Sequence, residues 1–445
     1  MARLFGTDGV RGVAGTELTS LLAMNIGIAL AHILKRNNEN VKVLVGNDTR
    51  ISKDMIVNSI SAGLSSKGVT VVKTGVIPTP AISYLVREHN FQAGIMVTAS
   101  HNPYEFNGIK IFDKNGFKLE DVLEDEIEEI VNKIESVPKT SEIGTIEEDT
   151  TLINDYISYL ISKKEHDFSN LRIALDCANG SSSKTARKVF ESFNCKTFII
   201  NDQYNGININ ENAGSTHINI LKDYVIKNKC DVGFSFDGDA DRCIAIDNKG
   251  NIIDGDYVLA IIGMYLKEQG KLKNNSIVGT IMSNLGLIKF CKDNDINFVS
   301  TKVGDRYVLE EMLVNNYSIG GEQSGHTIFM EHANTGDGEL TAIELLNVIT
   351  GTNKSLNELS KVMKKYPQVL INTPVSNDKK NNFYTDNVII EEIKKYEEKL
   401  NETGRIVIRP SGTEPLIRVM IEGVNEKIIK EYAQKLADFI KEKMN

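Results

Sequence analysis

The sequence predicts an α/β protein of four domains, three of them built from β-strands alternating with helices. Three observations carry that expectation. Short β-rich apolar runs alternate with stretches of helical length along most of the chain, the pattern of crossover connections and mostly parallel or mixed sheets covered by helices. Its 445 residues exceed one core at a prior of ~150 residues per domain. A composition of 41% hydrophobic and 25% charged residues is that of a globular chain with core to spare.

The elements follow in order. Val41–Val45, Val69–Lys73 and Ala93–Thr98 read as buried strands, with helices over Leu21–Lys35 and Asp54–Lys67 between them. Thr19 and Ser20 stand where helix caps belong. The charged stretch Glu120–Glu135 reads as an amphipathic helix, and polar Pro138–Thr150 as a linker closing a first domain, 1–150. Alternation resumes with Leu171–Asp176 and Asp231–Phe236. A hairpin-like stretch, Ile244–Asp247 and Asn251–Ile253 around Asn248-Lys249-Gly250, closes a second domain, 151–254. Ser276–Thr280, Phe298–Thr301 and Ser318–Gly320 are the strands of a third, 255–368. The remainder, 369–445, reads as strand–helix–strand–helix and ends in a helix over Glu426–Met444.

Charge and cysteine usage narrow the function. Lys and Arg total 51 against 60 Asp and Glu, a formal net charge of −9, which argues against a nucleic-acid partner because a phosphate backbone asks for clustered positive charge. No apolar run approaches the ~18 residues of a membrane span, and the N-terminus lacks a basic-then-apolar leader. Cys177, Cys195, Cys230, Cys243 and Cys291 form no C-x-x-C pair, so free thiols in a reducing compartment are expected. A cytoplasmic protein is the expectation.

Four polar constellations interrupt this scaffold. The first, Thr98-Ala-Ser-His-Asn-Pro103, follows a strand and precedes Asn107-Gly-Ile-Lys110, at the kind of strand end where α/β sheets bind ligands. Pro103 and Gly108 are expected to hold it as a turn, presenting the Ser100 hydroxyl beside His101 and near Lys110. G-x-S-x-G is absent, so this is not the serine-hydrolase elbow. The second, Asp237-Gly-Asp-Ala-Asp-Arg242, places three carboxylates at alternate positions after an apolar run. A cation relieves their repulsion, and all-oxygen ligation selects Mg²⁺ or Ca²⁺ over zinc. A calcium loop is excluded: counting Asp237 as one, position six is Arg242 instead of Gly and position twelve Asn248 instead of Glu.

The third, Gly320-Gly-Glu-Gln-Ser-Gly-His326, offers a carboxylate, an amide, a hydroxyl and an imidazole, a set suited to reading a polyhydroxylated ligand. The fourth, Arg409-Pro-Ser-Gly-Thr-Glu-Pro415 with Arg418 behind it, converges guanidiniums, hydroxyls and an amide on a phosphate. Gly63–Gly68 is followed by Val69-Thr70, not Lys-Ser/Thr, and is no P-loop. Each constellation alone reads equally as an ordinary polar turn. Together they fit one chemistry, moving phosphate around a sugar.

These motifs, with Phe5-Gly-Thr-Asp-Gly-Val-Arg-Gly12, occur in the order seen in the α-D-phosphohexomutases, and the chain resembles that family over essentially its whole length. The resemblance implies three similar mixed-sheet α/β domains and a C-terminal α+β domain like the TATA-box-binding protein, set around a central cleft. By the same resemblance Ser100 is the phosphorylated carrier, and Asp237, Asp239 and Asp241, with the phosphoserine of Ser100, hold one Mg²⁺. Arg11, His101, Lys110 and Arg242 line the cleft. Lys302-Val-Gly304-Asp305-Arg306 and Glu322, Gln323, Ser324 and His326 read the sugar. Arg409, Ser411, Gly412, Thr413 and Arg418 bind the phosphate that is not reacting. His101, Lys110 and His326 are the candidates for general base.

Gln323 and the N-terminal motif are similar to the family's glucosamine branch; glucose and mannose members usually carry Met at the position of Gln323. That implies exchange of phosphate between the 6- and 1-positions of glucosamine through glucosamine 1,6-bisphosphate, feeding UDP-N-acetylglucosamine and cell-wall synthesis. A homodimer is compatible with the resemblance. Phosphate transfer on mannose or glucose, a metal-dependent sugar phosphatase and an inactive sugar-phosphate binder are the rival readings.

Overall fold

A computed structural model describes residues 3–6, 8–36, 39–134, 142–376, 380, 382–411 and 415–444. Its strands form four sheets. The first contains β1 (Phe5–Gly6), β2 (Gly9–Val13), β3 (Lys42–Asn47), β4 (Thr70–Val76), β5 (Ala93–Val97), β6 (Phe106–Asp113) and β7 (Ile146–Glu148). The second contains β8 (Arg172–Asp176), β9 (Lys196–Ile200), β10 (Val232–Phe236), β11 (Cys243–Asp247) and β12 (Ile252–Ile253). The third contains β13 (Ser276–Thr280), β14 (Asn297–Thr301), β15 (Ile319–Gly321) and β16 (Thr327–Phe329). The last contains β17 (Gln368–Pro374), β18 (Gly404–Pro410) and β19 (Leu416–Gly423).

One plan recurs in the first three. Their cores run β4-β3-β5-β6, β9-β8-β10-β11 and β14-β13-β15-β16. In each, the first three strands are parallel and the fourth turns back antiparallel. The turn into that fourth strand carries Ser100 in the first sheet, Asp237–Arg242 in the second and Glu322–His326 in the third. Three polar constellations therefore occupy the same place in three copies of one sheet.

The central strands are mostly apolar, as burial on both faces requires: β5, β10 and β13 are buried at every position. The helices start where side-chain oxygens satisfy their free amides. Thr19 accepts from Leu22 N, Asp254 from Tyr257 N and Asp337 from Leu340 N. The third of these helices begins at the back of the acidic turn, where Gly338 N donates to Ala240 O at 2.9 Å.

Burial also shows where the fold divides. One continuous hydrophobic cluster runs from Leu44 and Phe112 through Tyr156, Leu175 and Phe234 to Ile277 and Leu346, joining all three α/β units. The last sheet has its own core, built from Ile417, Val419, Ile421, Ile429, Leu436 and Ile440. Its order is β17-β19-β18, all antiparallel, with the helix Glu426–Met444 packed against β17 and β19.

Two expectations need correction. The C-terminal unit is strand–helix–strand–strand–helix: Arg409 and Pro410 end β18, and Arg418 lies on β19. The Gly and Pro residues around 410–415 hid the break between two strands. Asn107–Lys110 is not a turn but part of β6. Gly108 is required there because a Cβ would lie 2.5 Å from Thr98 O and 2.8 Å from Val10 O.

Candidate active site

The loop between β5 and β6 bends at Ser100, whose φ of 50° lies in the left-handed region. Such a conformation costs a non-glycine residue about 1–3 kcal/mol and persists only where surroundings fix it. Here they do. Ser100 N donates to Thr98 Oγ1 at 3.0 Å, and Thr98 Oγ1 donates to Asp48 Oδ2 at 2.7 Å. Ser100 O accepts from Arg50 Nη2 at 2.9 Å and from Asn210 Nδ2 at 2.8 Å. The side chain is thereby directed across the cleft, where its Oγ donates to Asp237 Oδ2 at 2.6 Å.

Asp237, Asp239 and Asp241 follow β10, and a buried strand feeding straight into a tight turn gathers them. Among the described residues they are the group whose carboxylate oxygens lie within 4.8 Å of one another. All three are buried. Lys110, reaching across from β6, lies 2.8 Å from Asp239 Oδ2, 3.2 Å from Asp241 Oδ2 and 3.1 Å from Asp8 Oδ2. Burial lowers its ammonium pKa, but the three carboxylates outweigh that, so it is held protonated well above the ordinary lysine value. Thr79 Oγ1 adds a bond to Asp239 Oδ2 at 2.6 Å.

The set fits a hard dication. All donors are oxygens, and Asp239 Oδ1 and Asp241 Oδ1 are buried without a hydrogen-bond partner, a cost that ligation to a cation removes. Burial first, then the neighbouring Asp241 and Asp239 charges, push the Asp237 carboxyl well above its usual range. That is the cost of crowding three acids together.

His101 Nδ1 lies 3.2 Å from Ser100 Oγ and 3.3 Å from Arg242 Nη1. Burial, then the Arg242 and Arg11 charges, lower its pKa to about 4, so at neutral pH the ring is uncharged. Arg242 Nη1 can only donate, which leaves Nδ1 as an acceptor. His326 is placed differently. Its Nε2 accepts from Gly336 N at 3.0 Å and its Nδ1 lies 3.7 Å from Asp241 Oδ2; burial lowers its pKa, but the Asp241 carboxylate outweighs that and the net shift is upward.

A cavity of about 220 Å³ opens beside these groups, lined by Asp8, Arg11, Asp241, Arg242, Val303, Gly304, Asp305, Glu322 and His326. Glu322 Oε1 accepts from Gly304 N at 3.1 Å, which ties the two sugar-loop candidates together. Gln323 sits behind, its carbonyl accepting from Gly255 N at 3.1 Å. Ser324 and Lys302 are exposed, the latter with Nζ 5.6 Å from the Tyr307 ring centre. Arg306 is not brought to the cavity's acidic end. It donates to Leu119 O at 2.7 Å and pairs with Asp121, bridging the first and third units.

In the last sheet, Arg409 and Arg418 are direct cross-strand partners. Like charges placed opposite one another are destabilising, and the Arg409 guanidinium pKa is lowered by burial and then by Arg418. An anion between them would remove that penalty. Ser411 is buried, its N donating to Leu416 O at 2.9 Å. Gly412 and Thr413 lie outside the described residues.

Several residues at the site went unremarked in the sequence. Asp48 and Arg50 form a fully buried pair, Nε to Oδ2 at 2.9 Å. Lys118 is half-buried and bridges Asp8 and Asp305. Asn210 reaches the serine loop from the second unit. Only the first carried a signal: Asp48 and Arg50 sit just beyond β3, at the same carboxyl edge of the sheet as Ser100.

The comparisons with known proteins agree with this arrangement. The phosphoglucomutase/phosphomannomutase family matches through its α/β/α domain I over 2–138, domain II over 154–250, domain III over 254–366 and C-terminal domain over 370–439. A phosphoglucosamine mutase of Clostridium beijerinckii is 50% identical over 448 residues, covering all of both chains. A phosphoglucomutase/phosphomannomutase family protein of Burkholderia thailandensis superposes with a TM-score of 0.80 at 20% identity, covering 98% of each chain. An Aspergillus fumigatus N-acetylphosphoglucosamine mutase, solved with GlcNAc-6P and magnesium, gives 0.68 at 16%, over 99% of this chain and 96% of that one. With four matched domains in order and full-length identity of one residue in two, the chain belongs to the phosphoglucomutase/phosphomannomutase family and is an isomerase.

Proposed function

We propose that this isomerase interconverts glucosamine 6-phosphate and glucosamine 1-phosphate, with Ser100 carrying the phosphoryl group and glucosamine 1,6-bisphosphate as the intermediate. The observation that carries the reading is the buried Ser100 hydroxyl 2.6 Å from an acidic cluster with two unpartnered carboxylate oxygens. The sugar assignment rests on full-length relatives bearing the phosphoglucosamine mutase name.

Asp237, Asp239 and Asp241 would hold Mg²⁺, with an oxygen of phospho-Ser100 beside them. The ion supplies neutralisation of charge developing on the transferred group. The protein's own part is positioning and electrostatics, which is mainly what phosphoryl transfer asks for. Lys110, held protonated by its three carboxylates, and Arg242 bring fixed positive charge to the phosphate. His101, neutral and with Nδ1 in hydrogen-bond reach of Ser100 Oγ, takes the Ser100 proton when the phosphoryl group returns and Arg242 Nη1 has turned from Nδ1 to the phosphate. Glu322, fixed by Gly304 N, faces the sugar hydroxyls, and Arg409 with Arg418 holds the phosphate that is not reacting.

No helix among the described residues is long and apolar enough to cross a membrane, and the cysteines are all free. Both suit work in the cytoplasm, upstream of UDP-N-acetylglucosamine.

Intact mass tests the carrier. Incubation with glucosamine 1,6-bisphosphate should add one phosphoryl group to the protein, and Ser100→Ala should abolish both that gain and turnover while sugar-phosphate binding persists. Undiminished turnover in Ser100→Ala overturns the assignment.

A further inference from the structure

Outside the residues that face the cavity, one buried cluster converges on the main chain of the serine loop from two different units. Arg50 is wholly buried. Its Nε is engaged by Asp48, its Nη2 donates to Ser100 O and Asn102 O at 2.9 and 2.8 Å, and its Nη1 donates to Pro103 O. Asn210, from the second unit, donates through Nδ2 to the same two carbonyls, Ser100 O at 2.8 Å and Asn102 O at 3.1 Å. The acidic turn closes on the same point: a Cβ at Gly238 would lie 2.6 Å from Ser100 O and 2.9 Å from Asn210 Nδ2.

Neither side chain lines the cavity, so neither can contact the sugar phosphate there. What they fix is the backbone that aims Ser100 Oγ. A carbonyl with two lone pairs accepts at most two good bonds, and the Ser100 carbonyl takes both from these residues. The donors lie 50 and 110 residues away in sequence, so the left-handed bend at Ser100 is set by tertiary contacts and not by local preference. Asn210 does a second thing. It belongs to the unit that carries Asp237, and so ties the serine loop to the acidic turn it must face.

We propose that Arg50 and Asn210 are positioning residues for phosphoryl transfer, forming a two-sided clamp on the Ser100 and Asn102 carbonyls that keeps Ser100 Oγ in register with the acidic turn. The inference rests on Ser100 being the carrier. It places part of the catalytic power in residues remote from the sugar, since a misplacement of ~1 Å at a reacting group can cost on the order of 10²-fold in rate.

The test uses the full-length enzyme with Asn210→Asp, Asn210→Ala and Arg50→Lys. Asn210→Asp keeps the shape but sets a carboxylate against the two carbonyls, and Asn210→Ala removes the donor without adding charge, so the clamp needs both to lose rate. The clamp requires kcat to fall by about 10- to 100-fold in Asn210→Asp and Asn210→Ala, with KM for both sugar phosphates within about twofold. Phosphoryl gain from glucosamine 1,6-bisphosphate, followed by intact mass, should slow by the same factor. Arg50→Lys keeps the charge and loses the fork, and should show the same split between kcat and KM. If it does not fold, the Asn210 variants decide alone. Wild-type kcat in a folded Asn210→Asp enzyme overturns the clamp, as does an unchanged rate of phosphoryl gain. Failure of the carrier reading looks different: the unsubstituted protein would then gain no phosphoryl mass at all.

Discussion

The three α/β units and the C-terminal sheet solve different mechanical problems. The first three share one continuous core and are cross-tied at the cleft itself, by Thr79 to Asp239, Lys110 to Asp239 and Asp241, Lys118 to Asp8 and Asp305, and Cys243 N to Gly325 O. The last sheet has a separate core and meets the third unit through a compact polar latch. Asn284 Nδ2 donates to Glu422 Oε1 at 2.9 Å and Leu285 N to Glu422 Oε2 at 3.0 Å, while Arg405, paired with Glu422 within the sheet at 2.6 Å, donates through Nη2 to Ser283 O. Groups that break and make bonds to phosphorus need fixed geometry; a group that holds the other phosphate must let the intermediate turn round. On the proposed roles, the shared core lies where the chemistry is and the separate core where the idle phosphate is held.

The largest effect should come from attacking the rigid part. Replacing Asp237, Asp239 or Asp241 by Ala should lower kcat by about 10³-fold or more, since several kcal/mol of charge stabilisation are lost. Chelation should do the same and be reversed by restoring Mg²⁺. Turnover indifferent to both treatments breaks the division of roles.

Arg409→Ala probes the last sheet. Loss of a charge-assisted contact should raise KM by about 10- to 100-fold, and equally for the 6- and 1-phosphates, because the same pair holds whichever phosphate is idle. A variant impaired in one direction only would show that the last sheet is specific to one isomer.

The smallest effect belongs to the latch's neighbour, Asp256, whose Oδ2 accepts from Asn284 N at 2.7 Å. Burial, and then the Asp254 charge, push its carboxyl from 3.8 up to about 7. The native state therefore binds this proton where the unfolded chain has released it, and stability falls as pH rises between those values. Asn removes the penalty. Asp256→Asn should melt higher at pH 8, by about 2–4 °C, with the gain shrinking as the pH falls towards 4. No difference at either pH would detach Asp256 from the latch's stability.

Much of this was legible in the sequence, for identifiable reasons. Strands such as Ala93–Val97 announce themselves because both faces are buried and the run is uniformly apolar. Ser100 and the three aspartates stand out because a polar run directly after such a strand has no packing explanation. Lys110 read as a loop residue because Gly108 resembles a turn signal; only the close approach of Thr98 O and Val10 O reveals why a strand needs glycine there. Asn210 was illegible, and Arg50 showed only its place just beyond β3. Each is an unremarkable polar residue until the fold brings it to one carbonyl, and no spacing rule links positions 160 apart.

The strand order common to the three sheets has a consequence for how this enzyme can change. It is what tandem duplication of a single βαβ-based module would leave behind, one copy now bearing Ser100, the next the three aspartates, the third the Glu322–His326 turn. On the proposed roles each duty has its own copy, yet the turn between β15 and β16 is tied back to the acidic turn by Cys243 N donating to Gly325 O. A change of sugar preference in that turn must therefore leave this one contact in place.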